Sequence, residues 1–262
     1  MPRALWKGSI SLGLVNIPIA IYLAAKDRII EFHNLCGKCH TPLTYKRWCP
    51  HCEREVPWNE IVKGYKISKG KYVIVEKKEL EALQLKSTKA IEIVQFIDVG
   101  QIDPLFIEKN YYLVPQEGGE KAYHLFRNVL EITGKAAIGK VVFRGKEHLV
   151  AIRHYKKGLI MTVLHYKDEI IPIEELEALK RTVVIKENEL KLAKALIEKL
   201  SGKFEIEKFK DEYIEAVSNL IKKKAAGEKV VEKPVKVEPT SSRDLMKALK
   251  ASVEAVKKRK KK

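Results

Sequence analysis

The sequence predicts an α+β protein. Short strands close into a barrel or sandwich, a small metal-held insert lies near the N-terminus, and a helical arm and a flexible basic tail follow. Three observations carry this. Short alternating apolar runs recur from residue 9 to residue 166, the signature of many half-buried strands. Two stretches with helical apolar spacing come after the last of them. All four cysteines of the 262-residue chain fall in one pattern, Cys36-x-x-Cys39 and Cys49-x-x-Cys52.

Residues 9–23 read as one strand. Ile10, Leu12 and Leu14 alternate with small or polar residues, then Val15, Ile17, Ile19 and Ile21 continue on shifted parity. A bulge or bend is therefore expected, with Gly13 and Pro18 as punctuation. Each Cys-x-x-Cys turn aims two thiolates at one point, and two turns complete a tetrahedral four-sulfur site. The pattern predicts a structural zinc held by Cys36, Cys39, Cys49 and Cys52 in an insert of about residues 34–58. Rubredoxin-type iron and thiol redox chemistry are the alternatives. A redox turn needs a long helix after it, and here Pro57 stands where that helix would run. A closed four-thiolate shell leaves no position for a substrate.

Further strands are expected at 28–33, 71–76, 90–97, 111–114, 138–144, 147–153 and 158–166. The last three form a meander, with turns at Arg144-Gly145-Lys146 and Lys156-Lys157-Gly158. A helix at 119–131 places Ala122, Leu125, Phe126, Val129 and Leu130 on one stripe, and Gly134 ends it. Helices at 187–200 and 207–225 make the arm (187–226), which could pack on its own barrel or reach a second copy. Residues 1–186 are the core, and 227–240, with Gly227, Pro234 and Pro239, are a linker. Within 241–262 an N-cap at Ser241-Ser242-Arg243-Asp244 precedes a stripe of Leu245, Met246, Leu249, Val253 and Val256. A helix this short is marginal alone in water and is expected to order on a partner. A basic run, 257–262, follows it.

The charge is lopsided, with 51 Lys and Arg against 34 Asp and Glu, a net of +17. Residues 222–262 hold 15 basic and 5 acidic side chains, which leaves the body a net +7. A Lys/Glu-rich heat-adapted surface tends to balance its signs, so nucleic acid is the expected partner. No apolar run is long enough to span a bilayer. Metal-spaced cysteines suit a reducing cytoplasm, so a cytoplasmic, nucleoid-associated location is expected. Phosphate-loop, dinucleotide-fingerprint and zinc-protease motifs are missing and the histidines are scattered, so no enzyme is expected. Basic residues gather at turns and insert edges: Lys46, Arg47, Lys63, Lys66, Lys69, Lys71, Arg144, Lys146, Arg153, Lys156 and Lys157. Interleaved with Tyr45, Tyr65 and Tyr72, they suit a surface that tracks phosphates without reading bases. A zinc-ribbon RNA-binding or translation-associated protein shares these features and is the rival.

Ordered motifs narrow the choice. Ala4-Leu-Trp-Lys-Gly-Ser-Ile-Ser-Leu-Gly-Leu-Val-Asn-Ile-Pro-Ile19 resembles the opening of prokaryotic Ku, and Tyr45-Lys-Arg-Trp-Cys49, Ile61-Val-Lys-Gly-Tyr65, Ile102-Asp-Pro104, Tyr111-Tyr-Leu-Val-Pro115 and Glu147-His-Leu-Val-Ala151 follow in register. The stretch Asp244-Leu-Met-Lys-Ala-Leu-Lys-Ala-Ser-Val253 resembles that family's C-terminal peptide. The resemblance implies a β-barrel core with a protruding bridge bearing the zinc-ribbon-like insert, a C-terminal helical arm and a flexible basic tail. It implies a ring-shaped homodimer that threads double-stranded DNA ends and grips the sugar-phosphate backbone. It further implies recruitment of an ATP-dependent DNA ligase of the ligase D type, or an equivalent, through Leu245, Met246, Leu249 and Val253 for non-homologous end joining.

Overall fold

The structure, a computed structural model, describes residues 3–83, 89–143, 145–227 and, near the C-terminus, 248, 249, 251, 252 and 254. The chain divides into two units, Met1–Pro172 and Ile173–Lys262.

Alternation from residue 6 onward builds two strands, β1 (Trp6–Leu12) and β2 (Val15–Leu23), joined by a two-residue turn. The bent single strand expected over 9–23 is thus a hairpin. Gly13 takes the left-handed turn conformation (φ 58°), and Leu14, fully exposed, is the turn residue where the parity shifts. Two short pairs follow in the chain: β3 (Trp48–Cys49) with β4 (Arg54–Glu55), then β5 (Lys63–Ser68) with β6 (Lys71–Val75). Helix α1 (Lys77–Leu83) precedes β7 (Ala90–Asp98) and β8 (Ile107–Pro115). After α2 (Glu120–Thr133) come β9 (Lys135–Phe143), β10 (Lys146–Tyr155) and β11 (Gly158–Leu164).

Seven strands form a closed barrel in the order β1-β2-β8-β11-β10-β9-β7. The ring closes where β7 pairs parallel with β1, Ile91 opposite Ile10, which removes the sheet edges. Inward residues of every strand, among them Ile10, Ile19, Ile91, Leu113, Val141, Ile152 and Met161, are buried in one cluster. Helix α2 lays Tyr123, Phe126 and Leu130 into the same cluster. It stops at Gly134, which adopts the left-handed conformation (φ 65°). Gly139 permits a close strand approach, because a Cβ there would stand 2.5 Å from the Glu92 carbonyl oxygen. Beside it, the β7–β9 register shifts between Ile93 and Gln95.

Three expectations need correction. Residues 28–33 form no strand: Ile29 and Phe32 are 74% and 70% exposed, and without a buried face a short apolar run has nothing to pair for. The hairpin strand Lys63–Ser68 was not anticipated, because all six of its residues are exposed and it carries no one-sided pattern. The helix expected at 207–225 begins only at Glu212, where Asp211 caps it by accepting a hydrogen bond (3.0 Å) from the Ile214 N–H.

In the second unit, α3 (Glu187–Leu200) occupies the residues expected, and α4 (Glu212–Ala225) completes the arm. The Lys186 N–H donates to the Glu189 carboxylate at the start of α3 (2.9 Å). Its apolar stripe, Leu190, Ile197 and Leu200, remains exposed. Residues 248, 249, 251, 252 and 254 are helical, inside the segment read as the terminal helix. Leu245, Met246 and Val253 lie outside the described residues, as does Arg144; Leu249 is half-buried.

Candidate nucleic-acid interface

The insert is built from two knuckles of the same shape. In the first, the Cys36 N–H donates to the Thr41 carbonyl (2.9 Å) and the His40 N–H to the Cys36 carbonyl (2.8 Å), and a bridge pairs Leu35 with Pro42. In the second, β3 and β4 flank Cys49-Pro50-His51-Cys52, and the Cys52 N–H donates to the Cys49 Sγ (3.5 Å). The residue after the second cysteine is left-handed in both, His40 at φ 55° and Glu53 at φ 47°. Non-glycine residues adopt that region only where the turn demands it.

One thiol of each knuckle is lowered. Hydrogen bonds from Thr41, and then from Cys36, pull the Cys39 thiol down to about 7. The Cys52 and His51 N–H groups pull the Cys49 thiol down, while the hydrogen bond to Cys49 pushes Cys52 up. A lowered thiol is the form that binds metal. The donor chemistry and the knuckle shape therefore fit zinc. Among the described residues no three His, Cys, Asp or Glu side chains are grouped as a metal site.

Around the knuckles the basic residues differ in how committed they are. Lys46 pairs with Glu55 (3.5 Å). Arg47 lies 4.4 Å from the centre of the Trp58 ring and donates to the Val56 carbonyl (3.2 Å). Arg54, which the sequence did not single out, is bound to Glu60, and this pairing lowers the Glu60 carboxyl.

The β5–β6 hairpin holds Lys63, Lys66, Lys69 and Lys71, all exposed and, among the described residues, without an ion pair. Register sorts them: Lys63 opposes Val75, Tyr65 opposes Val73 and Ser68 opposes Lys71, whereas Lys66 opposes Tyr72. Directly opposed residues share a face, so Lys63, Lys71, Tyr65 and Val73 lie on one side and Lys66, Tyr72 and Ile74 on the other. Both faces are open, with Tyr65, Tyr72 and Ile74 61% exposed or more.

At the barrel turns, Lys146 is bound to Glu169 (3.0 Å) and Lys140 to Glu147 (3.1 Å). The Tyr166 N–H, then Lys146 and His165, hold the Glu169 carboxyl down to about 2. Lys146, read as a phosphate contact, is therefore already partnered. Arg153 and Lys156 lie over the Tyr155 ring (5.7 and 5.5 Å), and Lys157 has no ion pair among the described residues.

A closed barrel, lysines without ion pairs on an exposed hairpin and basic residues at turns are the features that a surface tracking backbone charge would need. Comparison with known proteins makes this specific. A family model described as the Ku70/Ku80 beta-barrel domain matches residues 11–192. A Heliobacterium modesticaldum protein, "Non-homologous end joining protein Ku", is 42% identical over 260 residues, covering 99% of this chain and 94% of its own. Proteins of the same description from Archaeoglobus fulgidus and Bacillus subtilis are 44% and 37% identical over 255 and 254 residues. They cover 97% and 96% of this chain and 100% and 82% of their own. The chain belongs to the Ku family, the DNA-end-binding proteins of non-homologous end joining.

Proposed function

We propose that this protein binds double-stranded DNA ends as a ring-shaped homodimer, without reading sequence, and holds them for a recruited ligase. The observation that carries the dimer is the β5–β6 hairpin. Two strands alone are marginal in water, and this hairpin exposes apolar side chains on both faces. One face suits a second copy and the other, with Lys63 and Lys71, suits phosphates. The bare stripe of α3 adds a second surface that a partner subunit would cover. The family match favours DNA ends over the rival RNA-binding reading.

Cys36, Cys39, Cys49 and Cys52 would hold a zinc ion, which supplies a structural cross-link and no chemistry. It ties the two knuckles together in an insert that has no buried core residue of its own. Leu245, Met246, Leu249 and Val253 would form the face that engages an ATP-dependent ligase of the ligase D type or its equivalent. The role is holding and recruitment; catalysis belongs to the ligase. No helix among the described residues is long and apolar enough to cross a membrane.

Competition between blunt linear duplex and closed circular duplex of equal length, with native mass spectrometry, tests the ring. Linear duplex should compete well and circular duplex poorly, with a mass of two chains. Equal competition would return the rival reading or simple charge adhesion. Incubating end-labelled duplex with magnesium or manganese tests the non-enzymatic role, since sustained cleavage would overturn it. Deleting residues 241–262 should spare end binding and reduce ligase stimulation, and unchanged stimulation would remove the recruitment role from that segment.

A further inference from the structure

The outer wall of the barrel carries an aromatic ledge beside the basic β10–β11 turn, and gripping phosphates does not account for its tyrosines. Register aligns Tyr22 of β2, Tyr112 of β8, Ile160 of β11 and Arg153 of β10 in one row across four strands. Their neighbours along these strands, Ile21, Leu113, Leu159, Met161 and Ile152, point into the core, so the row faces outward. Tyr155 opposes Gly158, which has no side chain, and its ring stacks on Tyr112 instead (centres 6.3 Å apart, 29° between planes). A cleft of about 410 Å³ opens beside the stack, lined by Tyr112, Tyr155, His124, Lys156 and Lys157 among others. That volume lies in the range of small-ligand sites.

The cleft is held rigidly. The buried Tyr123 hydroxyl donates to the Leu113 carbonyl (2.7 Å) and accepts from the Leu159 N–H (2.9 Å). Arg127 of α2 and the His154 ring both meet the Lys156 carbonyl (3.2 and 2.6 Å), holding the β10–β11 turn, where Lys156 is left-handed (φ 50°). The turn thus presents two lysines beside a tyrosine stack, and Arg153 lies over the Tyr155 ring.

Aromatic side chains on the open face of a sheet, with lysine or arginine at the rim, are a stacking platform for unpaired bases and their phosphates. Duplex DNA keeps its bases stacked inside and offers none to such a ledge. We infer that the Tyr112–Tyr155 ledge binds unpaired nucleotides, the single-stranded tail of a DNA end, with bases on the tyrosines and phosphates on Lys156 and Lys157. This rests on the end-binding role and adds a preference for ends that carry an overhang.

The test is fluorescence anisotropy of the full chain with three probes: a blunt duplex, the same duplex with a short oligothymidine tail, and the tail alone. The wild type should bind the tailed duplex more tightly than the blunt one. Tyr112→Leu with Tyr155→Leu should lose about tenfold or more on the tailed duplex and on the tail, and nothing on the blunt duplex. Lys156→Gln with Lys157→Gln should lose the tail preference without touching the rings, a second route if the tyrosine variant is unstable. Equal wild-type affinity for tailed and blunt duplexes overturns the inference, as does unchanged tail binding in both variants. A tyrosine variant that folds but loses its dimer mass also overturns it, since the ledge would then be a subunit contact. Failure of the end-binding reading shows separately, as equal competition by circular and linear blunt duplex.

Discussion

The sharpest consequence concerns which lysines meet the phosphate backbone. On the β5–β6 hairpin Lys63 and Lys71 share one face and Lys66 lies on the other, beside Tyr72 and Ile74. The face with two lysines should meet the duplex, and the face with Tyr72, Ile74 and Gly64 should meet the second subunit. Replacing Lys63 and Lys71 by Gln then removes two phosphate contacts per subunit, four per dimer. Each contact contributes about 0.9 to the slope of log affinity against log salt, so the variant's slope should fall by about 3.6. Across a fourfold rise in salt, this difference in salt sensitivity between wild type and variant amounts to roughly 150-fold in affinity. Anisotropy of a labelled blunt duplex, titrated at several salt concentrations, measures it. Lys46→Gln and Lys146→Gln are the internal controls. Their ammonium groups already face Glu55 (3.5 Å) and Glu169 (3.0 Å), so each should change the slope much less. A slope unchanged in the double variant, with Lys66→Gln reducing it instead, would refute the assignment of faces. No change in either would remove the hairpin from the DNA contact.

Other outcomes follow from single residues. Tyr123→Phe leaves the Leu113 carbonyl and the Leu159 N–H without their shared partner; urea unfolding should show a loss of about 2–4 kcal/mol, and an undiminished midpoint would mean that water or a strand shift replaces the hydroxyl. The Glu169 carboxyl is lowered from 4.5 to about 2, so its stabilisation is complete above 4.5 and is lost as the pH falls from there through about 2. Glu169→Gln should therefore flatten the acid side of the stability profile, and a parallel profile would count against the pairing. Chelation, or Cys36→Ser, should make residues 34–58 sensitive to protease while the barrel keeps its β-sheet circular dichroism. Equal protease resistance with and without chelator would dismiss the zinc cross-link.

Much of this was legible in the chain because its signals are local. Alternation in β7, β10 and β11 and the stripes of α2 and α3 reflect faces that residues share with near neighbours in sequence. Cys-x-x-Cys spacing likewise gives two knuckles, since each turn is complete within four residues. What failed was non-local or two-sided. The hairpin break at Gly13-Leu14 looked like a bulge, because both shift parity by one residue. Strand β5 carried no pattern, because neither of its faces is buried. Basic residues could be listed, but not sorted into Lys146, held by Glu169, and Lys63, without an ion pair among the described residues and on the same hairpin face as Lys71.

The sequence by itself determined the strand and helix faces, the metal-spaced thiols, the excess of positive charge and, through its ordered motifs, the family. Only the tertiary structure decided barrel closure through the parallel β1–β7 pair, the state of each lysine and the row of Tyr22, Tyr112 and Arg153 on the outer wall. These depend on register between strands remote in sequence, which many compensating side-chain contacts set together and no short window contains.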